Sequence, residues 1–595
     1  MPDIHSSNGA RPAILLTLGL AAAYLLVAAW VSNPYVLLIM TLVPLWATLG
    51  ASWNTFSGYS GLLSFGHAVF FGLGAYAVAI SFAQFGLTPW LGLLLAALSG
   101  ALAGLLVGIP TFKLRGVYFS LAMLAYPLAM LYVFEWLGLQ EVTLPMKREN
   151  AAAYMQFADP RVYVLLAVVM LVAAVLLQLR ISRSRFGLSL LAIKQNEIAA
   201  ETSGINPFRW KLAALVLSGA IAGLAGGLYA VVLVTVTPHS VFGLLVSAQA
   251  LIFTMFGGVG WVAGPVIGAA VLLPLGELLS ATVGARLPGI QGVLYGLAII
   301  LVVLLAPDGI LPKLASRYRG GAGRAAVLSA QTVGLSAQAS SEPVHPDLRQ
   351  APVIMQVAGL SKRFGGLQAV SQVSFQARQG EILGIIGPNG AGKTTLFNLL
   401  NGIVHPTAGS VIFEGRELAG LRPFEICRLG VGRTFQVARI FARLSVLENV
   451  LVGALSSEPD DRRARERARQ ALDQVGLGAW ADERAGRLTA VQLRLMELAR
   501  ALAMRPRLLL VDEVLAGLGG KEVEQVVEVL TKLRAMGVTQ IIIEHTMHAM
   551  VRLADRLLVL DHGKVLYVGE PAAVTSEPAV IEAYLGKKWV HHAAH

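Results

Sequence analysis

Long apolar runs almost without charge fill the first half of this chain, and short apolar runs alternating with polar stretches fill the second. Runs long enough to cross a bilayer fall near 12–32, 34–53, 66–84, 88–111, 114–138, 161–180, 210–236, 243–258, 261–282 and 290–306, about ten spans in all. Between the second and third spans, the stretch from Gly58 to His67 is too short and too rich in Gly to cross, and reads as a re-entrant or broken-helix element. Irregular backbone at that depth persists only where protein or a water-filled cavity satisfies its polar groups, and such breaks tend to mark translocation paths. From about Val353 the pattern changes to strands alternating with helices, opening with Val353, Met355 and Val357 on one strand face. It predicts an all-α polytopic transmembrane domain over 1–312 and an α/β domain over 351–595. Between them, 313–350 is rich in Ala, Ser, Gly, Arg and Gln, the composition of a flexible linker that holds the second domain near the membrane.

Composition sharpens this picture. Of 595 residues, 55% are hydrophobic and 14% charged, with mean hydropathy +0.66, which excludes an ordinary soluble protein. The formal charge of +12 would suit a nucleic-acid binder, but beside apolar spans it reads as positive-inside bias, and no nucleic-acid partner is expected. A single cysteine, Cys427, excludes a disulfide framework and a cysteine metal site. The run Ile14 to Val31 follows Arg11 as a signal peptide would, yet its length and the spans after it make it a retained helix facing membrane lipid. Lys113 and Arg115 lie in one connection, and Arg180, Arg183, Arg185, Lys194, Arg209 and Lys211 in another; both belong on the cytoplasmic side. Ten spans then put both termini, and the second domain, inside.

Within the connection Ser184–Asn206, Leu188, Leu191, Ala192 and Gln195 share a helical face, Asn196 to Glu201 continues the helix, and Gly204 is its stop. Such a helix would dock on a cytoplasmic domain and carry motion; the alternative is a plain connection. Inside the spans, Glu277, Asn54, His67 and Gln249 are the polar candidates. Glu277 stands near an outer end, where it either serves function or snorkels, and His67 beside Gly66 reads as structural. No metal-ligand cluster or proton relay stands out, which leaves an ion-driven transporter unsupported. The longest outer loop, Gln140–Pro160, is open to a partner but carries no chemistry of its own.

The chemistry sits in the second domain. A buried strand, Glu381 to Ile386, and a helix start, Leu396 to Leu400, flank Gly387-Pro388-Asn389-Gly390-Ala391-Gly392-Lys393-Thr394-Thr395, a phosphate-binding P-loop. Its glycines let backbone N–H groups close around phosphate oxygens at a helix N-terminus. Lys393 would pair with the β and γ phosphates of ATP, and the Thr394 hydroxyl would ligate Mg²⁺. The apolar strand Leu508 to Val511 ends in Asp512 and Glu513. Asp512 would hold Mg²⁺ through water, and Glu513 would orient or deprotonate the attacking water. Two carboxylates at a buried strand end are costly without a cation. Gln436, closing Arg433-Thr434-Phe435-Gln436, would touch Mg²⁺ and that water, and His545, ending the strand from Gln540, would contact the γ-phosphate. Phe364 either stacks on adenine or packs in the core. The hairpin Leu557 to Leu566 closes the domain, Asp460 to Gln470 reads as a solvated helical face, and His591, His592 and His595 form a tail that is disordered or binds metal weakly.

In order and spacing, the P-loop, Gln436, Asp512-Glu513 and His545 resemble an ABC transporter ATPase. The resemblance extends through Leu444 to Val450 and Ala583 to Gly586, toward the branched-chain amino acid uptake subfamily. Gly58 to His67, Phe70 to Tyr76, Leu114 to Phe119 and Asn196 to Ala200 are similar to that subfamily's permease. The resemblance implies a coupling helix carrying Leu188, Leu191, Glu197, Ala200 and Gly204. It also implies a second permease subunit, a second ABC ATPase subunit and a periplasmic substrate-binding protein, in a bacterial inner membrane with the ATPase domain cytoplasmic. Three departures stand out. The signature, usually Leu-Ser-Gly-Gly-Gln, reads Leu488-Thr489-Ala490-Val491-Gln492; the loop after Glu513 reads Ala516-Gly517-Leu518-Gly519; Thr546 follows His545 where Asp is usual. In ABC dimers each ATP lies between one chain's P-loop and the other's signature, and the branched Val491 is expected to hinder backbone approach to phosphate. The implied function is the fused permease–ATPase subunit of an importer of branched-chain amino acids. The alternatives are an importer of urea, amides or aromatic acids, an ABC exporter half-transporter, and a non-hydrolytic scaffold or sensor.

Overall fold

Proline and capping residues mark where the membrane helices begin. The Asn33 side-chain oxygen accepts from the backbone N–H of Tyr35 at 2.9 Å ahead of Pro34, and Thr88 caps the helix that opens at Pro89. The computed structural model describes residues 10–114, 116–283, 286, 289–306, 309–311, 313, 350–545 and 547–585. The linker 314–349, Arg115, Thr546, Gly586 and the tail histidines lie outside the described residues.

The membrane half holds α1 (Ala10–Trp30), α2 (Pro34–Trp53), α3 (His67–Phe85), α4 (Pro89–Thr111), α5 (Val117–Trp136), α6 (Arg161–Ser182), α7 (Arg185–Gln195), α8 (Glu197–Thr202), α9 (Pro207–Leu233), α10 (Pro238–Phe242), α11 (Leu244–Gly257), α12 (Gly264–Val283) and α13 (Ile290–Leu305). Among the described residues nine helices, with α10 and α11 counted as one, are long and apolar enough to cross a membrane. The tenth expected span is α13, shorter at 16 residues. A two-stranded ribbon, β1 (Val142–Thr143) with β2 (Thr235–Val236), ties the outer loop to the end of α9.

The stretch expected to break does break. α2 runs on into a π-helical turn, Asn54–Gly58, and residues 61–66 have no regular structure before α3 begins. Side chains answer the backbone groups that this leaves without helical partners. Trp53 Nε1 donates to the Ser64 carbonyl at 2.7 Å, and Lys194 Nζ donates to the Gly58 carbonyl at 2.8 Å. Asn54 accepts from Gly260 N–H at 2.8 Å and donates to the Trp261 carbonyl at 2.9 Å. His67 lies between the Ser64 and Ser218 hydroxyls at 2.9 and 2.8 Å, a buried structural histidine. Glu277 accepts from the Tyr35 hydroxyl and the Gln291 amide, at 3.1 and 3.2 Å.

The chain separates into two units, and the division is not linear. Gln195–Pro207 groups with the second unit, although it lies inside the span expected for the first. The single helix expected over Ser184–Asn206 is two helices. Asn196 has extended backbone (φ −156°), and its side chain caps α8 by accepting from Ala199 N–H at 3.0 Å. A residue that caps cannot also continue a helix, so the chain turns there.

The second unit contains an antiparallel sheet of β3 (Val353–Phe364), β4 (Leu367–Arg378), β6 (Ala408–Phe413) and β7 (Arg416–Glu417), ordered β4-β3-β6-β7. Its main sheet is ordered β12-β11-β5-β10-β9-β8, from β5 (Ile382–Ile386), β8 (Val431–Arg433), β9 (Leu508–Asp512), β10 (Thr539–Ile543), β11 (Arg556–Asp561) and β12 (Lys564–Gly569). All these neighbours are parallel except β11 with β12, which turn back through His562 and Gly563, both with positive φ. Strands β5, β9 and β10 are buried along their whole length, as central parallel strands must be. The helices used below are α14 (Lys393–Leu400), α15 (Pro423–Arg428), α16 (Val446–Ala454), α17 (Asp461–Gln474) and α18 (Ala490–Ala503). α17 is the charged run expected to be solvated; it is capped by Asp460 and buries Ala464, Ala468, Ala471 and Leu472.

Candidate active site

Parallel neighbours β5, β10, β9 and β8 all end on one edge of the main sheet, where ligands of open α/β sheets bind. That edge brings together the P-loop after β5, His545 after β10, Asp512 and Glu513 at the end of β9, and Arg433 to Gln436 after β8. Register sets the heights: Asp512 pairs with Ile543 and Ile543 with Ile385. Asn389, Gly390, Ala391, Gly392, Lys393, Thr394, Thr395, Gln436, Glu513 and His545 line an open cleft of about 480 Å³. Gly387 and Pro388 are not among the lining residues, but their carbonyls accept from Lys393 Nζ at 2.7 and 2.9 Å. Gly392 is obligatory on two grounds: its φ is +98°, and a Cβ there would lie 2.4 Å from the Ala369 carbonyl oxygen. Burial lowers the Lys393 ammonium pKa, while Glu513 and Asp512 act in the opposite sense.

Glu513 is the centre of the cleft. Its Oε2 accepts from Gln436 Nε2 at 2.6 Å, and its Oε1 lies 2.5 Å from His545 Nε2. Its φ is +46°, a left-handed backbone that costs a non-glycine residue roughly 1–3 kcal/mol and that clusters at active sites. Glu513 N–H donates to the Ile543 carbonyl at 2.8 Å, which locks this turn onto β10. A buried carboxylate that sequence reading missed, Glu544, braces the same turn by accepting from Leu515 N–H at 2.7 Å and from its neighbour His545 N–H at 3.3 Å. Burial pushes its carboxyl up to about 7. The only clue in the sequence was an acid directly after the apolar run Ile541-Ile542-Ile543.

Asp512 is buried at the end of β9, and Arg433 NH2 lies 3.3 Å from its Oδ2. Burial raises the Asp512 carboxyl above the ordinary range, and Arg433 pulls it back. Its Oδ1 is buried with no hydrogen-bond partner among the described residues. The Asp512 carboxylate, the Thr394 hydroxyl and the Gln436 amide oxygen are all hard oxygen donors. This fits Mg²⁺, which takes one or two carboxylates and leaves its other positions to phosphate and water. No group of three or more His, Cys, Asp or Glu that would hold a metal by itself occurs among the described residues.

Phe364 is not brought into the cleft. It pairs with Leu367 across the Gly365-Gly366 turn, is 46% exposed, and has Lys362 Nζ 5.1 Å from its ring centroid. Core packing is thereby excluded, and Leu367, Gln368 and His562 line the cleft instead. The signature segment opens α18. Thr489 and Gln492 form a capping box: Thr489 Oγ1 accepts from Gln492 N–H at 3.4 Å, and Gln492 Oε1 accepts from Thr489 N–H at 3.0 Å. Thr489 and Ala490 are exposed, but Val491 is only 8% exposed. Most of the Val491 side chain is thus covered within the chain.

The expected coupling residues divide between two helices. Leu188, buried, and Leu191, half-buried, belong to α7, whereas Glu197, exposed, and Ala200, buried, belong to α8. Within the second unit α8 packs on α15, and Gln195 Oε1 accepts from Arg443 N–H at 2.7 Å. Gly204 has φ +85°, and a Cβ there would lie 2.5 Å from Ser456 Cβ, so the chain stops its helix in a space closed to any larger residue.

Residues 15–303 match the family described as branched-chain amino acid transport system / permease component, and residues 370–516 match ABC transporter. The ATP-binding half is 39% identical over 250 residues to the high-affinity branched-chain amino acid transport ATP-binding protein BraF of Pseudomonas aeruginosa, covering 39% of this chain and 98% of that protein. It is 38% identical over 250 residues, at the same coverage, to the corresponding protein LivG of Escherichia coli. A solved ATP-binding cassette of an ABC transporter in its ADP conformation is 30% identical, with TM-score 0.37, covering 40% of this chain and 100% of that one.

Proposed function

The chain belongs to the branched-chain amino acid ABC transporters, with a permease component and an ATP-hydrolysing cassette on one polypeptide, and on that premise we propose an importer of branched-chain amino acids or a related small amphipathic solute. The observation that carries this reading is the joining of span-length apolar helices to a cleft in which Glu513 is held by both Gln436 and His545. It acts in a bacterial inner membrane with the cassette in the cytoplasm, which the basic connections Arg180–Arg185 and Arg209–Lys211 support.

ATP binds with its phosphates at Gly387–Thr395, and Lys393 exchanges its loop carbonyls for phosphate oxygens. Thr394, Gln436 and Asp512 would hold Mg²⁺, which would supply charge neutralisation to the phosphoryl group. Glu513 takes a proton from the attacking water. Gln436 and His545 restrain both of its oxygens, so the base is positioned before the water arrives. His545 would contact the γ-phosphate, and Phe364, exposed beyond the cleft lining at the end of β3, would stack on an adenine that projects out of the cleft.

The partners are a second permease subunit, a second ABC ATPase and a periplasmic substrate-binding protein. The Gln195–Pro207 segment passes closure of the cassettes to the spans as a two-state shift. The two ATP sites are unequal: the one built on this P-loop hydrolyses, and the one served by Leu488–Gln492, whose altered signature lacks both glycines, turns over slowly. Leucine uptake into proteoliposomes of the reconstituted complex tests the reading. ATP- and binding-protein-dependent accumulation of leucine is expected; outward movement, or no binding-protein dependence, would reject it. Replacing the catalytic Glu of each cassette in turn tests the asymmetry, which fails if the partner's residue matters as much as Glu513.

A further inference from the structure

We infer that Arg433 is a positioning residue for the metal ligand Asp512, holding one carboxylate oxygen so that the other faces the Mg²⁺ position. The inference rests on the Mg²⁺ reading above and adds a residue to it. Arg433 ends β8, the strand beside β9, and is only 4% exposed. Both terminal nitrogens of this buried guanidinium are paired, while its Nε is buried without a hydrogen-bond partner among the described residues. NH2 lies 3.3 Å from Asp512 Oδ2, and NH1 donates to Asn398 Oδ1 at 2.8 Å. Its carbon lies 5.0 Å from the Phe435 ring centroid and 5.8 Å from that of Phe397. Asn398 and Phe397 belong to α14, the helix that the P-loop opens. One rigid fork therefore connects the strand end that bears the metal ligand to the helix that bears Thr394.

Two further contacts fix Asp512, and a third holds its partner Thr434 in place. Its N–H donates to Thr434 Oγ1 at 3.2 Å, Thr434 N–H donates to the Leu510 carbonyl at 2.9 Å, and Asp512 pairs with Ile543 in the ladder. With the main chain fixed and Oδ2 taken by Arg433, the carboxylate plane is set. Oδ1 is then the oxygen left buried without a partner among the described residues. A buried carboxylate oxygen in that condition is a ligand in waiting for a hard cation. Lys would supply the charge but not the fork that reaches Asn398 and Asp512 together.

Binding of the fluorescent nucleotide mant-ATP to the full chain in detergent tests this without hydrolysis, with saturating Mg²⁺ in one arm and EDTA in the other. In the Arg433→Met variant the Mg²⁺ needed for half-maximal tightening is expected to rise about tenfold, with EDTA-arm affinity within about twofold of wild type. Arg433→Lys, the safer fold, is expected to fall between. In an Asp512→Asn background the effect of Arg433→Met on Mg²⁺ dependence is expected to vanish, because Arg433 acts through that carboxylate. The inference is overturned if Mg²⁺ dependence is unchanged or tightened in both Arg433 variants, if both arms weaken equally, or if the effect survives in the Asp512→Asn background. If Asp512→Asn alone leaves Mg²⁺ dependence untouched, it is the Mg²⁺ reading itself that fails.

Discussion

Polar side chains are buried in both units, but they do different work. Around the broken end of α2, Trp53 and Lys194 bond to main-chain groups of the break itself, and Asn54 bonds to main-chain groups of the connection between α11 and α12. In the cassette the parallel ladder satisfies most of the main chain of β5, β9 and β10, leaving end groups such as Ile382 N–H and Asp512 N–H to side chains. Polar side chains near the strand ends therefore also face one another: Gln436, His545 and Glu513, or Arg433, Asn398 and Asp512. An irregular backbone consumes polar side chains, whereas a regular one leaves them available for chemistry.

The sharpest way to break this comparison is Glu513→Gln. If the cassette cluster is reactive, ATP turnover by the full complex falls roughly 10²- to 10⁴-fold with nucleotide binding kept. Phosphate release at wild-type rate would reduce the cluster to a structural one. The converse change is Asn54→Leu, which strips partners from Gly260 N–H and the Trp261 carbonyl, at about 1–3 kcal/mol for each group left unpaired. Thermal unfolding should show the loss, while mant-ATP affinity stays as it was.

A smaller effect separates the units by pH. Burial raises the Glu544 carboxyl to about 7, so the folded cassette keeps a proton that the unfolded chain has lost above the ordinary carboxylate range. Its contribution is complete below that range and disappears as pH rises through 7. Between pH 5 and pH 8 the wild-type cassette should lose a few degrees of Tm relative to Glu544→Gln, a trend visible by scanning fluorimetry. The smallest effect is expected for Val491→Gly. Most of the side chain is covered, so total hydrolysis should change by less than about twofold; a tenfold rise would restore the steric obstruction read from the sequence.

Much of the molecule was legible in advance, for local reasons. Length and apolarity mark the spans, and Gly58 to His67 advertised its break because glycine and serine cannot sustain an apolar helix there. The P-loop, Asp512, Glu513, Gln436 and His545 stand at strand ends, and a strand followed by a polar residue is visible in one dimension. Other features depended on where strands lie beside one another. Nothing between Arg433 and Asp512 in the chain says that β8 adjoins β9, so their pairing, and that of Arg433 with Asn398, exists only once the sheet is ordered. Asn196 reads equally well inside a helix or as a cap, and only the turn at the start of α8 decided it. The burial of Val491 likewise depends on the tertiary structure. Sequence by itself determined which groups carry charge, where apolar length suffices to span, and which backbone positions demand glycine, because these are properties of a residue and its near neighbours. Tertiary structure alone decided which buried charges meet and which oxygen stays open, because both depend on the order of strands far apart in the chain.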